Sequence, residues 1–360
     1  MIKKGVLSPA ESAEFIAKSA KYVKIHKEGI DKLCDEMFGH MTANSLQIPE
    51  TGADSIHPSR DHPRAVDWVF VVDALNFCFW SRSKVDQWHV DGHTGYYALE
   101  AALCRAIKEG YDITNPEYYS KITSEDLKKI MRGDTEAEIP LFEQRMAVLH
   151  EVGSILLDKY NGTFETCVKE ANKSAVKLLR LVVANFPCFQ DEASYKGQKV
   201  SFYKRAQILV ADLWNFFGAS GWGEFEDINA MTMFADYRVP QVLVYFGALS
   251  YSDDLMEKLK NDVLLNSGSD EEVEIRGCSI HAVELLKKSI EERARREARD
   301  IEVPNSSLID YFLWCYRRKH AGEMEKVPYH KTLGQNSKNM VQGGATTNYD
   351  CEIMIQEEGV

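Results

Sequence analysis

Gly218-Ala219-Ser220-Gly221-Trp222-Gly223 and, shortly after it, Thr232-Met233-Phe234-Ala235-Asp236-Tyr237-Arg238-Val239-Pro240-Gln241 form the stretch on which the fold turns. Three glycines within six residues call for a turn. A helical pattern over residues 203–217 runs into it, a short helix-like piece over 225–232 follows, and another helix begins about Pro240. The layout is helix, glycine turn, helix, then an Asp ahead of the next helix. Two readings of Asp236 are open on spacing alone. It caps the helix that follows, a common role for Asp, or it is a carboxylate set apart for chemistry.

Working outward, helical signals dominate the chain. Ser8-Pro9-Ala10-Glu11 is a helix start, with a capping Ser and Pro at the first helical position. Further helices are expected at residues 96–108, 124–131, 140–160, 163–171, 174–185, 239–246, 253–261, 271–299 (with a break near Gly277) and 306–320. Gln87 to His93 suits a short hairpin strand. Residues 66–80 are the most apolar segment, and periodicity leaves strand and buried helix undecided there. Residues 39–63 lose periodicity and read as a long loop, a type that is often functional. The expectation is a mainly α-helical domain over 1–332 with a few short strands near the first third. The Gly-, Asn- and Ser-rich segment 333–360 reads as a disordered tail.

Composition narrows the class. Hydrophobic residues at 44% and aromatics at 11% supply a globular core. No apolar run approaches the ~20 residues of a membrane helix. The Met1-Ile2-Lys3-Lys4-Gly5 start has no apolar signal core, so no secretion signal is expected. None of the eight cysteines form a C-x-x-C pair, which favours reduced thiols over disulfides or zinc. The expected location is cytoplasmic, with the nucleus also open. With 43 basic against 55 acidic residues the formal charge is −12. Tight nucleic-acid binding rests on many Lys/Arg–phosphate contacts, so the partner expected is a small nucleotide substrate rather than a polymer or a membrane.

Four other stretches hold polar groups in apolar surroundings. Lys204 and Arg205 lie in the first turn of a helix, where cations oppose the helix dipole. A carboxylate such as Asp212, seven residues on and on the same face, or a substrate phosphate would offset them. Asp73 and Asn76 are embedded beside Phe77, Phe79 and Trp80, aromatics suited to stacking on a base. Asp310 and Tyr311 begin another aromatic helix, where Asp310 is either a helix cap or an acceptor for a guanine-like edge. His57 lies in the long loop.

Taken as long words, these pieces resemble the queuosine salvage family, the queuosine 5′-phosphate N-glycosidases. The resemblance rests on residues 66–80, 201–212 and 233–243, is extended by 247–255 and 273–278, and spans about Ser8 to Pro328. The layout around Asp236 is also similar to helix-hairpin-helix DNA glycosylases. The resemblance implies an all-helical, glycosylase-like fold and release of queuine, a 7-deazaguanine base, from queuosine 5′-monophosphate without a metal or organic cofactor. It implies Asp236 as nucleophile or transition-state stabiliser, and His57, Phe234, Asp310 and Tyr311 around the base. Asn76 and Phe77 would pack on the base and Lys204 would meet the phosphate. Cys315 stands where a polar or acidic residue is expected late in the Asp310 helix. Two rival readings are a non-catalytic carrier of queuine or its nucleotide, and a nucleic-acid glycosylase; detection of free base separates the first, a salt-dependent gel shift the second.

Overall fold

The protein was analysed as a computed structural model that describes residues 5–42, 45–47, 56–81 and 87–332. The expected tail over 333–360 and much of the 39–63 loop lie outside the described residues. Among those described, fifteen α-helices and three two-stranded antiparallel sheets make the protein mainly α. None of these helices is long and apolar enough to cross a membrane.

Local chemistry explains the starts of many helices. Ser8 and Glu11 form a capping box, the Glu11 carboxylate accepting the Ser8 amide at 2.9 Å. Thr123 and Ser174 accept the amides of Asp126 and Lys177, both at 3.1 Å, opening the Ser124–Ile130 and Ala175–Asn185 helices. The undecided apolar segment resolves into a helix, Ala65–Ala74, every residue of which is buried, and an irregular strand-less run after it. A helix buried on all faces has no polar stripe, which is why periodicity could not identify it.

Three expectations need correction. The helix Asp270–Arg296 runs through Gly277 without a break. That glycine exists for close approach: a Cβ there would come within 2.6 Å of the Ile16 side chain. Residues 225–232 form only turns and one 3-10 turn, Ile228–Ala230, not a helix. The strands are not confined to the first third. His89–Val90 pairs with His93–Thr94 as expected, but Glu192–Tyr195 pairs with Gln198–Ser201, and Val23–Ile25 pairs with Leu249–Tyr251.

The apolar interior falls into two clusters. One is built from residues between Val66 and Met231, the other from the N-terminal helices, Tyr195, Val200 and Phe202 of the second hairpin, and residues between Met233 and Met324. The chain crosses between them at Thr232, which is pinned there: its amide donates to the Gln207 side chain and its hydroxyl oxygen accepts from it, both at 2.9 Å. Phe234 follows at once and packs on Ile208 and Ala211. Asp236 therefore emerges at the seam between the two clusters.

Candidate active site

A cavity of about 950 Å³ opens at this seam. His57, Asn76, Phe77, Lys204, Phe234, Asp236, Asp310 and Tyr311 all line it. Side chains from five separate stretches of sequence thus meet around one space. Its size suits a nucleotide-sized ligand.

The turn carrying Asp236 is held from both sides. Asp236 Oδ1 accepts the amides of Arg238 at 2.9 Å and Val239 at 2.8 Å, so the residue does cap the Val239–Tyr245 helix. This leaves Oδ2 without a hydrogen-bond partner among the described residues. Upstream, the Phe234 amide donates to Asp310 Oδ1 at 2.9 Å. Asp310 is not a helix cap: Asn305 caps the Ser306–Lys319 helix, its Oδ1 accepting from Leu308 at 2.9 Å. Between them, the Ala235 carbonyl accepts from Arg276 Nε at 3.1 Å.

Lys204 enters from the helix Lys204–Phe216. Its predecessor Tyr203 takes a left-handed φ of 48°, an unusual conformation for a bulky residue. The strain is held by Asp191, whose Oδ2 accepts the Lys204 amide at 3.0 Å, and by the Tyr203 hydroxyl donating to Glu192 at 2.9 Å. Lys204 Nζ is directed inward and donates to the Asn76 carbonyl at 3.3 Å. Burial lowers its pKa, while the carboxylates of Asp236, Asp73 and Asp310 act to raise it. Burial likewise raises the pKa of Asp236, and the charge of Lys204 is the largest influence opposing that rise. Asp310 is pushed well above the ordinary carboxylate range, first by burial and then by the charge of Asp236.

Of the two readings of Lys204 and Arg205, the Arg205–Asp212 ion pair does not form. Arg205 instead donates to the carbonyls of Ala74 and Cys188, and its guanidinium stacks 4.8 Å from the Phe77 ring centre. Arg145, fully buried, holds the same segment: it donates to the carbonyls of Leu75, Phe77 at 2.5 Å and Cys78 at 2.8 Å, and its guanidinium lies 4.4 Å from the same Phe77 ring centre. Two cations at the carbonyl end of the Ala65–Ala74 helix favour its dipole, and they position Asn76 and Phe77 at the cavity. Asp73 accepts from Asn76 at 3.4 Å and its Oδ2 is buried without a partner.

The remaining wall residues differ in how visible they were. His57 packs edge-on against Phe216 at 4.9 Å. Tyr311 stacks on Trp314 at 6.2 Å. Cys315 is wholly buried and does not reach the cavity lining. Sequence reading missed Glu100 and Tyr96, one helical turn apart and both at the cavity. The Tyr96 hydroxyl donates to Asp212 at 3.2 Å. Burial raises Asp212 to about 6, and burial with the Asp212 charge raises Glu100 to about 8. The available signal was an acid on the apolar face of the Tyr96–Lys108 helix. Arg238, Arg317 and Arg318, also at the cavity, were missed as well; the last two end the Ser306–Lys319 helix, where cations look ordinary.

Comparison with known proteins adds the following. Residues 56–334 match the sequence profile of a family described as queuosine salvage protein. A Bos taurus queuosine 5′-phosphate N-glycosylase/hydrolase is 44% identical over 339 residues, covering 91% of this chain and 98% of that protein. Proteins of the same name from Sphaerobacter thermophilus and Schizosaccharomyces pombe are 38% and 35% identical, covering 79% and 84% of this chain and 85% and 89% of theirs.

Proposed function

The chain belongs to the queuosine salvage protein family, and from this premise we propose that it hydrolyses the N-glycosidic bond of queuosine 5′-phosphate, yielding queuine and ribose 5-phosphate. The observation that carries the reading is Asp236. It is a buried carboxylate with one oxygen tied to backbone amides and the other uncommitted, at a nucleotide-sized cavity, with a lysine nearby.

The base limits the chemistry. A purine can be activated for departure by protonation at N7, but in a 7-deazapurine that atom is carbon. More of the barrier must then be lowered at the sugar. As the C1′–N9 bond lengthens, positive charge builds on the ribosyl ring, and a fixed carboxylate beside it stabilises that charge. Asp236 Oδ2 takes this role and accepts a proton from the attacking water as the new C1′–O bond forms. The bonding electrons leave with the base, which takes a proton from solvent, and Asp236 returns to solvent the proton it took from water. The charge of Lys204 favours the ionised form of Asp236 and opposes the effect of its burial. Phe77, Phe234 and Tyr311 offer faces to the base, Asn76 and His57 close the wall, and Asp310 keeps Oδ2 for the guanine-like edge.

Residues 1–332 act as one catalytic unit, since both apolar clusters contribute to the cavity wall. The net charge of −12 favours a free nucleotide over a nucleic-acid polymer as substrate. Incubation of the purified chain with queuosine 5′-phosphate, followed by chromatography, tests the reading. Free queuine and ribose 5-phosphate in equal amounts are expected; bound but intact nucleotide would make the protein a carrier.

A further inference from the structure

Asp310 and Arg276 hold the turn carrying Asp236 at the two residues before that Asp. The two residues after it, Tyr237 and Arg238, are held from a different part of the chain, the irregular segment 327–332 beyond the Ala321–Met324 helix. The Tyr329 ring stacks on that of Tyr237, with centres 5.6 Å apart and planes at 27°. The Arg238 guanidinium lies 4.2 Å from the Tyr329 ring centre. Gln241 adds a tie through hydrogen bonds. Its Oε1 accepts from Arg238 Nη1 at 3.1 Å, and its Nε2 donates to the carbonyls of Met324 at 2.9 Å and Val327 at 2.6 Å.

The segment is anchored on both sides of Tyr329. Two residues before it, Val327 is bonded to Gln241. Two residues after it, the Lys331 carbonyl accepts the Leu265 amide at 3.0 Å and Lys331 Nζ donates to Asp262 at 2.7 Å. His330 is buried in between, with neither ring nitrogen hydrogen-bonded. Burying polar atoms without partners is unfavourable, and a segment lying loosely on the surface would turn that ring out to water. The segment is therefore a fixed strap, and Tyr329 is its contact with the turn.

Tyr237 and Arg238 line the cavity and Tyr329 does not, so Tyr329 acts on the chemistry only through them. The Arg238 and Val239 amides hold Asp236 Oδ1, so the placing of residues 237 and 238 sets the direction of the uncommitted Oδ2. Both contacts of Tyr329 with the turn are made by its ring face, which a phenyl ring supplies as well.

We propose that Tyr329 is a positioning residue for the glycosidic step: its ring clamps residues 237 and 238 and thereby aims Asp236 Oδ2 at the sugar. This rests on the reaction proposed above, with Asp236 as its carboxylate.

The test uses the full chain and the variants Tyr329→Ala, Tyr329→Leu and Tyr329→Phe, with Ile290→Ala as a truncation elsewhere in the same apolar cluster. Each is first checked for a native circular dichroism spectrum. Two readouts are taken: kcat and KM on queuosine 5′-phosphate, and hydrogen exchange of the amides in a peptide covering 233–241. Misplacing a catalytic group by about 1 Å can cost ~100-fold. Tyr329→Ala and Tyr329→Leu are expected to lose about 10- to 100-fold in kcat with KM within about threefold of wild type, and to exchange the Arg238 and Val239 amides faster. Tyr329→Phe should restore both readouts, and Ile290→Ala should leave both near wild type. If Tyr329→Ala does not fold, Tyr329→Leu against Tyr329→Phe makes the same comparison. Unchanged kcat in a folded Ala or Leu variant, a rise in KM alone, a Phe variant as poor as Ala, or an equal loss in Ile290→Ala would each overturn the proposal. A wild-type chain that frees no queuine, while Tyr329→Ala still speeds exchange at Arg238 and Val239, would remove the proposed reaction and leave the clamp standing.

Discussion

Arg276 and Asp191 form a two-pronged ion pair inside the protein, Nη1 to Oδ1 at 2.9 Å and Nη2 to Oδ2 at 2.5 Å. Each partner also holds one half of the candidate site. Arg276 Nε donates to the Ala235 carbonyl, next to Asp236, and Asp191 Oδ2 accepts the amide of Lys204. Glu272 joins the pair from one helical turn away, 3.2 Å from Arg276. The pair thus sets the spacing between the two charged groups placed closest to the chemistry.

Arg276→Lys keeps one charge but loses the fork and the bond to Ala235. Breaking a buried pair costs about 3–5 kcal/mol when one partner is removed, and the lysine variant should lose somewhat less. Chemical denaturation reads the stability. A fall in kcat beyond any change in KM reads the displacement of Asp236 relative to Lys204. Unchanged kcat in a folded variant would show that the pair is structural only.

Asp236→Asn separates the two roles of that residue. The amide oxygen of Asn can still accept from Arg238 and Val239, so the cap survives and stability should change little. The charge is gone, and kcat should fall by at least about a thousandfold, equivalent to ~4 kcal/mol of barrier. Asp236→Ala should lose the cap as well, about 1 kcal/mol more in a thermal or urea melt. Near wild-type release of queuine by the Asn variant would remove Asp236 from the mechanism.

Lys204→Met removes the charge that most opposes protonation of Asp236. With the cation gone, the pKa of Asp236 rises further, so the acid limb of the kcat/KM profile should move to higher pH. A rate-against-pH profile of both proteins decides it. An unmoved acid limb would mean that the limb belongs to another group.

Glu100→Gln should stabilise the fold in a pH-dependent way. Its carboxyl is raised from 4.5 to about 8, mainly by burial. The folded state therefore holds that proton more tightly than the unfolded chain does. Stability from this group is fully present below about 4.5 and is lost as pH rises through about 8. The Gln variant should match the wild type near about pH 5 and exceed it by up to a few kcal/mol near about pH 9, by urea titration.

Much of the site was legible before any coordinates, for a physical reason. Asn76, Lys204, Asp236 and Asp310 are polar residues set in apolar words, and a polar group kept inside a core needs a partner or a purpose. Glu100 carried the same contrast, an acid between Leu99 and Ala101 on a buried helix face, and went unread because no polar neighbour marked it. Arg317 and Arg318 lacked the contrast, since they end a helix where cations belong anyway. Arg205 was conspicuous, yet its partners are backbone carbonyls of Ala74 and Cys188, which no side-chain pattern announces.

By itself the sequence determined the helical class, most helix positions, the cap at Ser8, and the words that carry the family. Those follow from interactions within a few residues: hydrophobic period, capping and turn chemistry. Tertiary structure alone decided that the Ala65–Ala74 helix is buried on every face, that Gly277 makes room for Ile16, and that Asp191 and Arg276 tie Lys204 to Asp236. It also decided which charged groups face the cavity, with acids at Asp212 and Glu100 and Arg318 stacked on Tyr97 and Trp314. Burial, and which charge meets which, depend on contacts between residues far apart in the chain, and these exist only once the two apolar clusters have come together.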